Sequence, residues 1–137
     1  MCFLPIIVRV ETRLPILFSE GVSKGRIDIN TFVALTSTNH AKTYGLYPRK
    51  GTLSVGADAD IAIWDPARQV TISQDLMHHG ADYTPYEGIT VTGWPETTIV
   101  RGKCIVRNSE LCGQPGDGLY LARDLSPFAS SNAPAAR

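Results

Sequence analysis

The chain reads as an α+β protein in which short helices come first and a small antiparallel sheet follows. Three observations predict this. Apolar residues recur at three- and four-residue spacing near the start, at Leu14, Leu17, Phe18 and Val22, which is the period of one helix face. From residue 51 onward the period falls to two, as at Val70 and Ile72 or Ile89 and Val91, and that is the strand signal. Residues 97–101 and 104–107 flank Gly102-Lys103, where glycine at the first central position suits a two-residue type II′ hairpin.

Taken in order, the chain opens on an apolar run, FLPIIV at Phe3–Val8, followed at once by Arg9, Glu11 and Arg13. The run is too short to span a membrane and lacks the basic region of a signal peptide, so no targeting segment is expected. In the first helix Pro15 is expected in the first turn, where its missing N–H does no harm, and Gly21 and Gly25 end the run. Asp28 is the N-cap of the next helix, whose apolar face carries Phe32, Val33 and Leu35. Thr38 or Asn39 caps a third short helix over 41–44, with Gly45 as its C′ residue. In residues 61–64 Ile61 and Ile63 face one way and Ala62 and Trp64 the other. Both faces are apolar, which predicts a buried strand that stops at Asp65-Pro66. Four or five such strands leave edges that need pairing or cover.

Beyond Leu111 the sequence is loop-like, and about the last dozen residues, rich in Ala, Ser and Pro, read as a disordered tail. No internal repeat is present. The divisions are an N-terminal segment 1–10, a helical segment 11–50, a β region 51–111 and a tail 112–137.

At 137 residues, 43% apolar and 19% charged, the composition is that of one ordinary globular domain. Thirteen basic residues balance thirteen acidic ones. With no basic field, neither nucleic acid nor an anionic membrane is an expected partner. Cys2, Cys104 and Cys112 are odd in number and lack ligand spacing, so reduced thiols in a cytoplasmic protein are expected rather than disulfides or a zinc cluster.

Candidate chemistry resolves mostly into structure. His78 and His79 are adjacent and so diverge on either a helix or a strand, and no carboxylate or thiol completes a metal set by spacing. His40 reads as a local polar contact. Asp58 and Asp60 precede the strand at 61–64 and read as turn-setting residues that bond their own backbone. The glycines of 51–56 have phosphate-loop spacing, but Ala57-Asp58 stands where Lys and Ser/Thr are required. Residues 113–118 do not fit a dinucleotide fingerprint. Ser19, Ser37 and Ser54 lack a nucleophile-elbow setting, and neither Cys104 nor Cys112 has a base nearby in sequence. Arg49-Lys50 and Arg101 with Lys103 read as solvated pairs, and Trp64, Trp94, Tyr83 and Tyr86 as packing residues. No catalytic, cofactor-binding or metal-ligating residue emerges.

Four blocks in order carry a resemblance over residues 11–127: ETRLPILFSEGVSKGRIDINTFVALTSTN, AKTYGLYPRKGTLSVGADADIAIWDP, DYTPYEGITVTGWPETTIVRGKCIVRN and ELCGQPGDGLYLARDLSP. They resemble the C-terminal part of the cyclic amidohydrolases, the dihydropyrimidinase and hydantoinase family. The resemblance implies the last helices of a TIM-like barrel over 11–50 and most of a small β-sandwich over 51–111, a sandwich that in the family also uses strands from the N-terminus. It implies a hydrolase acting on the non-peptide C–N bonds of cyclic amides. In such enzymes two divalent metals, typically zinc, are bridged by a carbamylated lysine and generate the attacking hydroxide. The family's metal ligands lie upstream of the region matched here, and none maps onto this chain. MCFLPIIVRV matches poorly, and His40 stands where the family usually has proline.

The expectation is therefore a C-terminal fragment, inactive alone, from a truncated or incompletely predicted reading frame. The alternative is a non-catalytic module that self-associates or binds a full-length relative through its sheet edge and through the tail segment 113–127.

Overall fold

The computed structural model describes residues 10–126 and residue 128; the N-terminal apolar run and most of the expected disordered tail lie outside them. Helices form one layer, and a four-stranded antiparallel sheet forms the other.

Helix α1 (Val10–Leu17) continues into a π-helical stretch, Phe18–Ser23, with Leu17 still in the right-handed helical region. Pro15 lies a full turn beyond Val10 rather than in a first turn, and its ring is buried. The ladder is re-spaced just after it, where the helix widens. Gly21 does not end the helix. It is buried in the widened turn, where an added Cβ would meet the Ile27 side chain at 3.0 Å. The helix stops at Gly25, with a left-handed φ of 68° and its N–H on the Val22 carbonyl.

Asp28 caps α2 (Ile29–Val33) as expected, its Oδ1 accepting from the Thr31 N–H at 2.7 Å. The third helix is not separate. α2, a π-helical stretch Ala34–Thr38 and α3 (Asn39–Thr43) form one rod, with Thr38 itself helical (φ −61°, ψ −46°). Thr38 cannot cap α3, because its hydroxyl donates to the Gly51 carbonyl at 2.8 Å instead. Gly45 does take the left-handed C′ position. There the chain near the C-terminus returns, the Asp124 N–H donating to the Gly45 carbonyl at 3.0 Å. Of the predicted apolar face, Phe32 is buried while Val33 and Leu35 are about half exposed.

The sheet runs β1 (Ile61–Thr71), β2 (Thr90–Val100), β3 (Lys103–Arg107), β4 (Glu110–Leu111), in that spatial order. Three strand expectations are corrected. β1 is an edge strand, not a buried central one, and Ile63 is 47% exposed. An apolar run on both faces says only that something could cover it. Nor does β1 stop at Asp65-Pro66; its register against β2 shifts between Asp65 and Gln69 and then resumes. Asp65 Oδ1 accepts from the N–H groups of Ala67 and Arg68, which satisfies a bulge, and an edge-strand bulge is where proline is tolerated. Finally, the β2–β3 turn centres on Arg101-Gly102, not Gly102-Lys103, since Val100 pairs with Lys103. Both central residues have positive φ, 52° and 81°, the type I′ pattern that matches strand twist. The β3–β4 turn repeats it at Asn108-Ser109.

The core is Ile72, Val91 and Trp94, flanked by Ile16, Val70, Met77 and Tyr86. The helical layer docks on β2 through two serines one turn apart. Ser19 Oγ accepts from the Thr92 N–H at 3.0 Å and Ser23 Oγ donates to the Thr92 carbonyl at 2.9 Å. Gly93 follows, with φ 94°, and a Cβ there would lie 2.2 Å from the Phe18 ring. Glycine is required by both its dihedral and its contact.

Candidate functional site

Beside β1 the two layers part into a cleft of about 480 Å³. Its floor is aromatic. Phe18 stacks on Trp64 with centroids 4.9 Å apart, and Phe32 meets both rings edge-on at 5.3 and 5.8 Å. Such pairs add modest stability beyond their buried area. Leu14, Ile29 and Ile61 extend the apolar wall.

One polar group sits on the rim. Lys50 Nζ bonds Asp58 Oδ2 at 2.9 Å and also Asp60 Oδ2. Arg49 Nε reaches Asp58 at 3.1 Å, and Asp60 Oδ1 accepts from the Arg101 N–H at 2.8 Å. The two aspartates therefore do more than set their own turn; they tie the loop at 49–50 to the β2–β3 turn. The Lys50 hydrogen bond holds the Asp58 carboxyl below its usual range. Burial works to lower the Lys50 pKa, but its bonds to Asp60 and Asp58 outweigh that and raise it. The expectation that Arg49-Lys50 and Arg101 with Lys103 are merely solvated is corrected for Arg49, Lys50 and Lys103, since Lys103 also pairs with Asp117 at 2.7 Å.

The histidines are dispersed. His40 stacks parallel on Tyr44, a ring contact rather than the expected polar one. The Ala81 N–H donates to His79 Nδ1 at 3.3 Å. His78 Nδ1 lies 2.7 Å from Glu11 Oε1, and its Nε2 lies 3.1 Å from the Ser109 carbonyl. Sequence spacing could not reveal this junction, because its members stand 67 and 31 residues apart. Among the serines, Ser19 is a buried docking residue, while Ser37 and Ser54 are exposed. Cys104 lies in β3 with its thiol against the Val106 carbonyl, and Cys112 is exposed. Trp94 and Tyr86 pack in or against the core, as expected of packing residues.

The described residues do not suit a two-metal hydrolytic centre. A ligating imidazole needs a lone pair aimed at the metal, whereas both His78 nitrogens face acceptors already in place. Asp58 and Asp60 are engaged by cations, which a metal would have to displace. No group of three His, Cys, Asp or Glu side chains among the described residues could hold a metal ion. Nor is any helix among them long and apolar enough to cross a membrane.

The model of the amidohydrolase family matches residues 6–105, and the chain belongs to that family. Within it the similarity is to hydantoinases and dihydropyrimidinases. The chain is 50% identical over 114 residues to D-hydantoinase of Geobacillus stearothermophilus, covering 83% of this chain and 24% of that protein. It is 42% identical over 120 residues to dihydropyrimidinase of Rattus norvegicus, covering 88% of this chain and 23% of that protein. A crystal structure of D-hydantoinase superposes with a TM-score of 0.79 at 49% identity, over 81% of this chain and 24% of that one. Dihydropyrimidinase from Brevibacillus agri superposes at 0.78 and 48% identity, over 80% and 24%. The chain thus spans about a quarter of the length of the relatives it matches.

Proposed function

We infer that this chain is the C-terminal part of a cyclic amidohydrolase of the hydantoinase and dihydropyrimidinase type. In this reading residues 11–50 supply the last helices of its barrel and 51–111 most of its small β-sandwich. The substrate class is a cyclic amide such as a dihydropyrimidine or hydantoin, opened at a non-peptide C–N bond. The observation that carries the reading is 50% identity spread over 83% of this chain but only 24% of a D-hydantoinase. Metal chemistry belongs to the remaining three quarters, because His78, Asp58 and Asp60 are committed to other bonds. The chain alone does not open the ring. Free Cys104 and Cys112 suit the cytoplasm for such a protein.

The test is to purify the chain with zinc or manganese and to assay ring opening of dihydrouracil and a 5-substituted hydantoin. No turnover is expected. Turnover that survives rigorous exclusion of the host's own enzyme would overturn the reading.

A second reading is an assembly module that binds a full-length relative. It is favoured by the edge at Ile61–Trp64, which carries no charged side chain, since exposed edges normally carry such protection. The exposed side chains of Leu119, Tyr120 and Leu125 favour it too. Co-purification with a D-hydantoinase supports this reading; a monodisperse, cooperatively unfolding monomer that ignores the enzyme refutes it.

A further inference from the structure

Three remote pieces of the chain meet at one imidazole. Glu11 comes from the start of α1, His78 from the loop after β1, and Ser109 from the left-handed β3–β4 turn. Glu11 spends both carboxylate oxygens here, Oε2 accepting from the His78 backbone N–H at 2.9 Å and Oε1 facing Nδ1 at 2.7 Å. On the ring's other side, Nε2 faces the Ser109 carbonyl at 3.1 Å. A carboxylate and a carbonyl are both acceptors. A neutral imidazole has one N–H and can satisfy one of them, leaving lone pair against lone pair on the other side. Only the imidazolium satisfies both.

We propose that Glu11, His78 and Ser109 form a proton-operated clasp, shut when the ring carries two protons and slack on one arm when it carries one. What the clasp holds is the free end of the sheet. β4 is only Glu110–Leu111, both exposed, and its turn is otherwise tied back by the Asn108 N–H on the Glu96 carbonyl. Through His78 that turn is fastened to the helical layer. Behind the clasp lies a cavity of about 210 Å³ lined by Val70, Trp94 and Val106, with Arg68 of β1 sharing its wall with Glu11 and His78. The charged group bonded to the ring is thus Glu11 from α1, and Arg68 from β1 lines the same cavity. Glu11 dominates through its direct bond, and it raises the His78 pKa above 6.5.

The sign follows. A folded-state pKa above the unfolded value means that the clasp contributes fully below pH 6.5. Its contribution is lost as pH rises through the folded value. Alkaline conditions loosen the β4 edge and the chain that leaves it, while the core at Ile72 and Trp94 is indifferent.

The test is nitrogen-detected NMR titration of the full chain, with His78 assigned through His78→Gln and with Glu11→Gln as the charge-removing variant. The expected result is a His78 titration above 6.5 that moves down in Glu11→Gln. Amide protection at Asn108 and Cys112 should fall across the same pH interval, after correction for intrinsic exchange, while that of Gly88 stays level. His78 titrating as in an unfolded peptide overturns the proposal, and so does an unchanged titration in Glu11→Gln. If His78 shifts but protection at Asn108 and Cys112 does not follow, the clasp holds nothing and the proposal also fails.

Discussion

The more apolar end of β1, Ile61–Trp64, is the more open one, and the end with only Val70 among its last four residues leads into the core. At the latter end the chain runs into Ile72, 0% exposed, against Val91 and Trp94 at 2% and 6%. At the other, Ile63 is 47% exposed, and the cleft lined by its neighbours Ala62 and Trp64 shows Ile29 at 49% and Leu53 at 77%. Hydrophobicity decides that a residue gains from cover, at about 25 cal/mol per Å² buried. It does not supply the cover. β2 pairs with both ends, but only the closed end has Trp94, Met77 and Tyr86 packed around it, whereas the open end meets the edge of the fold.

The contrast breaks most readily at the closed end. Trp94→Ala is expected to lower stability by about 3–5 kcal/mol, as for large aromatic truncations in a closed core, read as a fall in the urea midpoint. Gly93→Ala should cost roughly 3 kcal/mol, combining left-handed strain with a methyl driven into the Phe18 ring. A normal midpoint for that variant would mean that the helix does not dock at Thr92. Asp28→Ala removes the cap of the helix lining the open cleft and should lower the midpoint less. Because the Thr31 N–H bond holds the Asp28 pKa below 3.8, its benefit is present above that value. The gap between Asp28→Ala and the parent should close as pH falls below 3.8 and through the lowered folded-state value. Smallest of all, Ile63→Thr should stay within about 0.5 kcal/mol, as for an exposed position. A core-sized loss there would show that this exposed stretch of the β1 edge is covered in solution, and size-exclusion chromatography of the parent would then reveal an assembly.

The clasp sharpens the same contrast at the sheet's far side. Core and clasp are both long-range, but Trp94 is held by packing, which ignores pH, and Ser109 by a proton. His78→Gln should therefore flatten the pH dependence of protection near β4 without touching the response to Trp94→Ala.

Local signals were legible wherever the deciding partner lies nearby in sequence. Asp28 caps through Thr31, Gly45 accepts the left-handed C′ position, and the alternation at Val70, Ile72, Ile89 and Val91 picked three residues that pack, while Ile89 is 45% exposed. The errors share one cause. Asp65-Pro66 looked like a stop because the sequence shows proline's missing donor, not the bulge that excuses it. Arg101-Gly102 lost the turn to Gly102-Lys103 because register is set across two strands, and a one-residue slip is invisible in either. Thr38 and Asn39 suggested a helix start, yet Thr38 spends its hydroxyl on Gly51. Of the candidate groups, the aspartates were read as local, and their link to Lys50 and Arg101 appeared only when distant loops came together.

By itself the sequence determined the order of helices then strands, the Asp28 cap and the Gly45 C′ position, and four blocks specific enough to indicate the family. These depend on interactions within a few residues or on residue identity alone. Tertiary structure decided which apolar faces are covered, which strand is the edge, and that His78 has two acceptors and Asp58 two cations. Burial and electrostatics are properties of neighbours in space, and a chain acquires those neighbours only by folding.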